Sequence, residues 1–190
     1  LTMHNGKLPI VEEPISKELL NFWVLFAEAF DYDYDNITQL IQNPQRIEDL
    51  KVKSKNHFLK LSNIYWKKCH LLTRDELDES DDLFRVFRRD VGELFEGMVT
   101  IVKSDLFNSL TNSILVNLSN VNENILDIES SLYLLNSISS VFTENNVQSE
   151  NIQAISTLFQ SSYFGTLTNM LDEYSSQENN HSLAPYFTRT

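Results

Sequence analysis

Four histidines, one cysteine, a run of carboxylates and three clustered arginines are the residues of this chain best equipped for chemistry. His4, His57, His70 and His181 are scattered, and none sits in a helical pair with another histidine or a carboxylate at metal-ligand spacing. They read as ordinary surface or core residues. Cys69 stands beside His70, which would suit a thiolate pair, but adjacent residues on a helix point about a hundred degrees apart. Cys69 also falls on an apolar stripe, so a buried structural cysteine is the better reading. The "NGK" at Asn5 to Lys7 lacks the other elements of a phosphate-binding loop, and Gly92, Gly97 and Gly165 stand alone. No cofactor is expected from these residues.

The stretch "DELDESDDLFRVFRRDVGELFEGMVTIV", Asp75 to Val102, gathers the remaining candidates. Asp75, Glu76, Asp78, Glu79, Asp81 and Asp82 fall within eight residues. They lack the central glycine and the spaced terminal glutamate of a calcium loop. Blocks of like charge repel and stay extended, so a solvated connector is one reading; an electrostatic contact for a basic partner, which would speed association, is the other. Asp81 and Asp82 have a local role as well, because carboxylates at a helix start are favoured by its dipole. Arg85, Arg88 and Arg89 follow. Arg88 flanks the apolar stripe and is placed to reach a carboxylate on a neighbouring helix; salt bridges account for all three. The sharper alternative is a helical GTPase regulator using Arg88 or Arg89 as an arginine finger, which requires that arginine to be exposed and free of intramolecular carboxylates.

The elements that carry these residues are helices. Leu19, Phe22, Trp23, Phe26 and Phe30 recur at three- and four-residue spacing on a first helix beginning near Pro14. An acidic, aromatic loop, "DYDYDN", and a short helical turn at "ITQLIQN" follow, closed by Pro44. Phe58, Leu61, Tyr65, Cys69 and Leu72 mark a second helix, whose other faces carry Lys51, Lys53, Lys55, Lys60, Lys67 and Lys68. The third has the cleanest stripe: Leu83, Phe84, Phe87, Val91, Leu94, Phe95, Met98 and Val102. Ser104 offers an N-cap for a fourth, striped by Phe107, Leu110, Ile114 and Leu118. Ile125, Ile128, Leu132, Leu135, Ile138 and Phe142 predict a fifth, and Ile152, Ile155 and Phe159 a sixth beginning near Ser149. A last helical stretch, "TLTNMLDEY", precedes the polar "SSQENNH".

Composition agrees with an all-α chain. Gly and Pro occur four times each in 190 residues, too few for many tight turns and short strands. A net charge of −12 argues against general nucleic-acid binding and against docking on an anionic membrane, and favours a basic protein partner. The lone cysteine excludes an internal disulfide and suits a reducing compartment. The longest apolar run, "FWVLFA", is too short to cross a bilayer. The start at Leu1 and the end at "PYFTRT" are what a segment of a longer protein would show.

The helices fall into pairs. The third and fifth start roughly forty residues apart, the period of antiparallel helical hairpins of the HEAT type stacked into an α-solenoid. Periodicity leaves a compact helical bundle as the alternative.

Read in order, these segments resemble the importin-β superfamily of nuclear transport receptors, most closely the branch of importin-13 and transportin-SR. "ELLNFWVLFAEAF", Glu18 to Phe30, is similar to that branch's aromatic first helix. "HFLKLSNIYWKKCHL", the acidic spacer and "LFRVFRRDVGELFEGMVTIVKSDLFNSL" continue the likeness, the latter matching a Phe-Arg-x-Tyr-Arg-x-Asp-Val helix and its successor. "NILDIESSLYLLNSISSVF" resembles the next outer helix. Nearly the whole chain is covered. Each motif is mainly a packing pattern, so order and spacing carry the weight. The departures are Phe87 where the branch often has Tyr, and "LDIESS" where a Trp usually precedes the Glu. A tRNA exportin has a similar layout.

The resemblance implies one HEAT-repeat segment of a longer superhelical receptor that grips protein cargo and the GTPase Ran in its GTP form, and shuttles between nucleus and cytoplasm. Nucleoporin contacts fit such a receptor, RNA only one of the exportin kind; it implies no catalysis, no cofactor and no direct membrane binding. The second, fourth and sixth helices would face inward, making Lys55, Lys60, Lys67, Asp105, Asn108 and Asn112 candidate partner contacts beside the acidic run.

Overall fold

The computed structural model describes residues 14–41, 43–70, 81–144, 149–161, 165, 168 and 169. Among them run six long helices: α1 (Ile15–Leu40), α2 (Pro44–Lys68), α3 (Asp81–Val102), α4 (Ser104–Asn117), α5 (Val121–Glu144) and α6 (Ser149–Gln160). A short 3-10 turn, Leu118–Asn120, joins α4 to α5. The described residues contain no strand, as the scarcity of turn residues predicts.

The apolar stripe of α3 makes it the central element. Phe87, Val91, Leu94, Phe95, Met98 and Val102 are fully buried and Phe84 nearly so, whereas Leu83 at the helix start is exposed. Each large apolar side chain buried in this way contributes roughly 1.5–3 kcal/mol. Around α3 lie α1, α2 and α5, and α5 in turn packs on α4, which packs on α6. Neighbours therefore alternate along the chain: α1 with α3, α3 with α5, α4 with α6.

Two small residues set the spacing about α3. A Cβ on Gly97 would lie 3.6 Å from the Ala27 Cβ of α1, and one on Gly92 would lie 2.8 Å from Ser137 Oγ of α5. The approach at Gly92 leaves no free room for a Cβ, whereas at Gly97 one would make an ordinary contact with Ala27.

The expected aromatic stripe lies on α1, and Trp23 and Phe30 from it pack against the core. Ser16, Leu20 and Ala27 are its buried residues, while Phe22 and Phe26 remain about half exposed. The large rings are pushed to the flank, where Phe26 and Phe30 meet Phe58 of α2 at centroid distances of 6.0 and 5.9 Å.

The supposed loop at Asp31–Asn36 is also helical, since α1 runs unbroken to Leu40 and takes in the first residues of "ITQLIQN". Its exposed acidic residues project into solvent from a helix that buries its apolar side. Next, Asn43 caps α2 by accepting from Gln45 N at 2.9 Å, with Pro44 at the first helical position where no N–H is missed. Ser104 does not cap α4. Lys103 occupies that position at φ 57°, and Ser104 is the first helical residue. In α6 the expected face is turned outward, with Ile152 and Phe159 exposed and Leu158 buried against α4 and α5 residues. Leu72, the side chain of Phe142 and nearly all of "TLTNMLDEY" lie outside the described residues.

Candidate functional site

Four of the expected partner contacts come together and two do not. On α4, Asp105, Asn108 and Asn112 follow one another at three- and four-residue spacing and so share a face. Lys55 of α2 joins them through an ion pair with Asp105, both side chains partly exposed. Lys60 lies five residues beyond Lys55, about 140° further round the helix, and Lys67 lies seven beyond Lys60 on nearly the same side. Lys60 and Lys67 therefore belong to a different, exposed face of α2, shared with Lys53. Asp75, Glu76, Asp78 and Glu79 lie outside the described residues. Asp81 opens α3, and Asp82 follows it as an exposed first-turn residue.

Beside the Lys60 face is an open groove of about 560 Å³ between α1 and α2, lined by Trp23, Phe26, Phe30, Phe58, Leu61 and Ile64. A second, polar hollow of about 480 Å³ lies past Phe30, where Asp31, Tyr34 and Asp35 of α1 face Lys51 of α2 and Lys103. Its opposite charges balance within the hollow.

A buried polar junction ties α2, α3 and α5 together. Arg88 donates from Nη2 to Glu129 Oε1 at 2.7 Å, and its guanidinium lies 4.0 Å above the Tyr133 ring. Burial pushes the Glu129 carboxyl up from its ordinary value, and the charge of Arg88 only partly opposes this. Trp66 Nε1 donates to Ser131 Oγ at 2.9 Å, and Ser131 donates to the Asp127 carbonyl at 2.7 Å. His70 Nε2 is 2.9 Å from Asp127 Oδ1, yet the ring N–H is not aligned on that oxygen and Nε2 is without a hydrogen bond. Burial lowers the His70 pKa against the pull of Asp127. Cys69 is fully buried, its thiol pushed up to about 12 by desolvation, so it stays protonated and unreactive.

Neither of the candidate finger arginines meets the requirement for that role. Arg88 is buried and paired with Glu129, and Arg89 lies 2.9 Å from Asp90 and 3.7 Å from Glu93. The described residues hold no group of three or more His, Cys, Asp or Glu side chains placed to bind a metal ion, and none of their helices is long and apolar enough to cross a membrane.

No family model, curated protein or solved structure matches this chain.

Sequence periodicity placed Arg88 near a carboxylate on another helix but did not name Glu129. The available signal was a charged residue inside an apolar stripe: Glu129 follows Ile128 and precedes two small serines, Ser130 and Ser131, which are fully buried. The groove left no comparable trace. Helical spacing marks the aromatic residues of α1 but is silent on which of them a second helix covers.

Proposed function

We propose that this chain is a segment of a nuclear transport receptor of the importin-β superfamily, built from stacked antiparallel HEAT hairpins and binding protein cargo and Ran in its GTP form. The observation that carries the reading is the alternate packing of helices: α1 on α3, α3 on α5 and α4 on α6. Hairpins stacked side by side place each helix against its counterpart one repeat on, and three of the four such pairs are present here, while α2 packs chiefly on α3 and α5. The starts of α3 at Asp81 and α5 at Val121 keep the roughly forty-residue period.

In that arrangement α1, α3 and α5 form one layer and α2, α4 and α6 the other. The Arg88–Glu129 pair joins successive repeats within the first layer, as a structural clamp. The second layer would line the concave face, offering Asn108, Asn112 and the Lys55–Asp105 pair to a partner. The acidic run before α3 would connect two repeats and meet a basic patch on Ran or cargo. The receptor would shuttle between nucleus and cytoplasm through nucleoporin contacts, with no catalysis or cofactor of its own.

The test is a pull-down with Ran loaded with GTP or GDP, using the full-length receptor to which the segment would belong. Retention of the GTP form alone supports the proposal. Equal retention of both forms, or of neither, opposes it.

A further inference from the structure

The groove between α1 and α2 has an apolar floor and a cationic rim. Its walls are Trp23, Phe26 and Phe30 on one side and Phe58, Leu61 and Ile64 on the other. α1 packs on α3 while α2 packs on α3 and α5, and Phe26 and Phe30 of α1 meet Phe58 of α2 within the groove lining. Phe26 is left 42 % exposed, and Phe22 beside it 52 %. Trp23 on the wall keeps an indole N–H without a hydrogen-bond partner.

The rim carries Lys53, His57 and Lys60, all exposed, and no carboxylate is among the described lining residues. Lys67 extends the row two turns beyond Lys60. In a chain of net charge −12, these lysines border an apolar recess with no carboxylate among its described lining residues. An incoming group therefore meets desolvation by aromatic side chains and attraction by ammonium groups together.

We propose that this groove is a docking site for an acidic amphipathic helix of a partner protein. Such a helix sets apolar anchors at i, i+3 or i+4, and i+7 into the recess, the helix-in-groove mode of recognition. Glutamates flanking the anchors pair with Lys53, Lys60 and Lys67, whose seven-residue interval from 60 to 67 spans about 10 Å, two turns of both helices. A basic or neutral helix of the same shape lacks that pairing and is repelled or left uncompensated. The site lies apart from the Lys55–Asp105 face and does not depend on the chain being part of a transport receptor.

The experiment uses the 190-residue chain and a fluorescent helix-forming peptide of about 16 residues, roughly four turns with Leu or Phe anchors and flanking Glu. Fluorescence anisotropy compares it with peptides in which every Glu is Gln or Lys. The acidic peptide is expected to bind about tenfold or more tightly than the Gln peptide at low salt, with the advantage shrinking as salt rises. The Lys peptide should not bind measurably. Lys53→Glu with Lys60→Glu should reverse the order of the peptides; both lysines are exposed, so an unchanged helical signal and melting temperature confirm the fold. Equal affinity for the three peptides, no binding of the acidic one, or indifference to the double substitution overturns the proposal. So does sedimentation showing a dimer that Phe26→Glu dissolves and the acidic peptide does not, which would make a second copy the occupant.

Discussion

Arg88 on α3 and Glu129 on α5 meet at 2.7 Å with each side chain less than a tenth exposed. The pair is incompletely satisfied, since Arg88 Nε and Glu129 Oε2 have no hydrogen-bond partner among the described protein groups. Breaking one half of such a pair leaves the other charge buried and alone. Glu129→Ala should therefore cost about 3–5 kcal/mol, and Arg88→Met combined with Glu129→Leu much less. Urea denaturation of Glu129→Ala, of the singles Arg88→Met and Glu129→Leu, and of their double variant measures this; a double variant as unstable as the sum of its two singles would show that the charges are not coupled.

His70 gives the fold a pH dependence of defined sign. Its pKa is lowered by burial, which outweighs the attraction of Asp127, while Lys67 and Arg88 add in the lowering direction. The folded state thus prefers the neutral ring and binds fewer protons than the unfolded chain just below the ordinary histidine value. This contribution is fully present above that value and is lost as pH falls below it. Melting curves at about pH 7.5 and about pH 5.5 should show a larger drop for the wild type than for His70→Gln. An equal drop would place the dependence elsewhere.

Gly92 on α3 faces Ser137 on α5. An alanine there would gain about 1 kcal/mol in helix propensity, but its Cβ would lie 2.8 Å from Ser137 Oγ. Overpacking of this kind costs roughly 1–3 kcal/mol, so Gly92→Ala should be net destabilising. Adding Ser137→Ala removes the nearer atom and leaves the Cβ at 3.3 Å, and the double variant should recover part of the loss. Thermal unfolding of both variants decides; a Gly92→Ala variant more stable than wild type would mean that α3 and α5 shift apart freely.

The acidic run has a separable role in the proposed function. Like charges packed this closely in sequence repel one another, and contact with a basic surface relieves that repulsion. Changing Asp75, Glu76, Asp78 and Glu79 to Ser or Gln should leave helix content intact. In the full receptor it should slow association with Ran-GTP and flatten the salt dependence of the on-rate. Stopped-flow association over a range of salt concentrations tests this; unaltered rates for Ran and for cargo would leave the run a solvated connector.

The stripe of α3 was legible because seven of its eight expected residues point into a space that α1, α2 and α5 fill together. The stripe of α1 was legible as a helix, but periodicity reports hydrophobicity and not distance, so it did not say how far Phe22 and Phe26 are covered. Ala27, fully buried, faces Gly97 of α3, while the larger Phe22 and Phe26 stay about half exposed. The Asp31–Asn36 stretch was taken for a loop on its charge, yet exposed carboxylates are tolerated on a helix whose other side is packed. Asn43 and Pro44 together spelled the start of α2, with the proline serving as the first helical residue and not as a stop. Among the candidate contacts, Asp105, Asn108 and Asn112 were correctly spaced for one face. Lys60 and Lys67 were not on the face of Lys55, as a hundred degrees per residue already dictates.

The most direct measurement is the affinity of the full-length receptor for Ran carrying a non-hydrolysable GTP analogue, set against its affinity for Ran carrying GDP. A receptor of the proposed kind should prefer the GTP form by at least about tenfold, or 1.4 kcal/mol. Indistinguishable affinities, or no binding to either form, would contradict the assignment to nuclear transport.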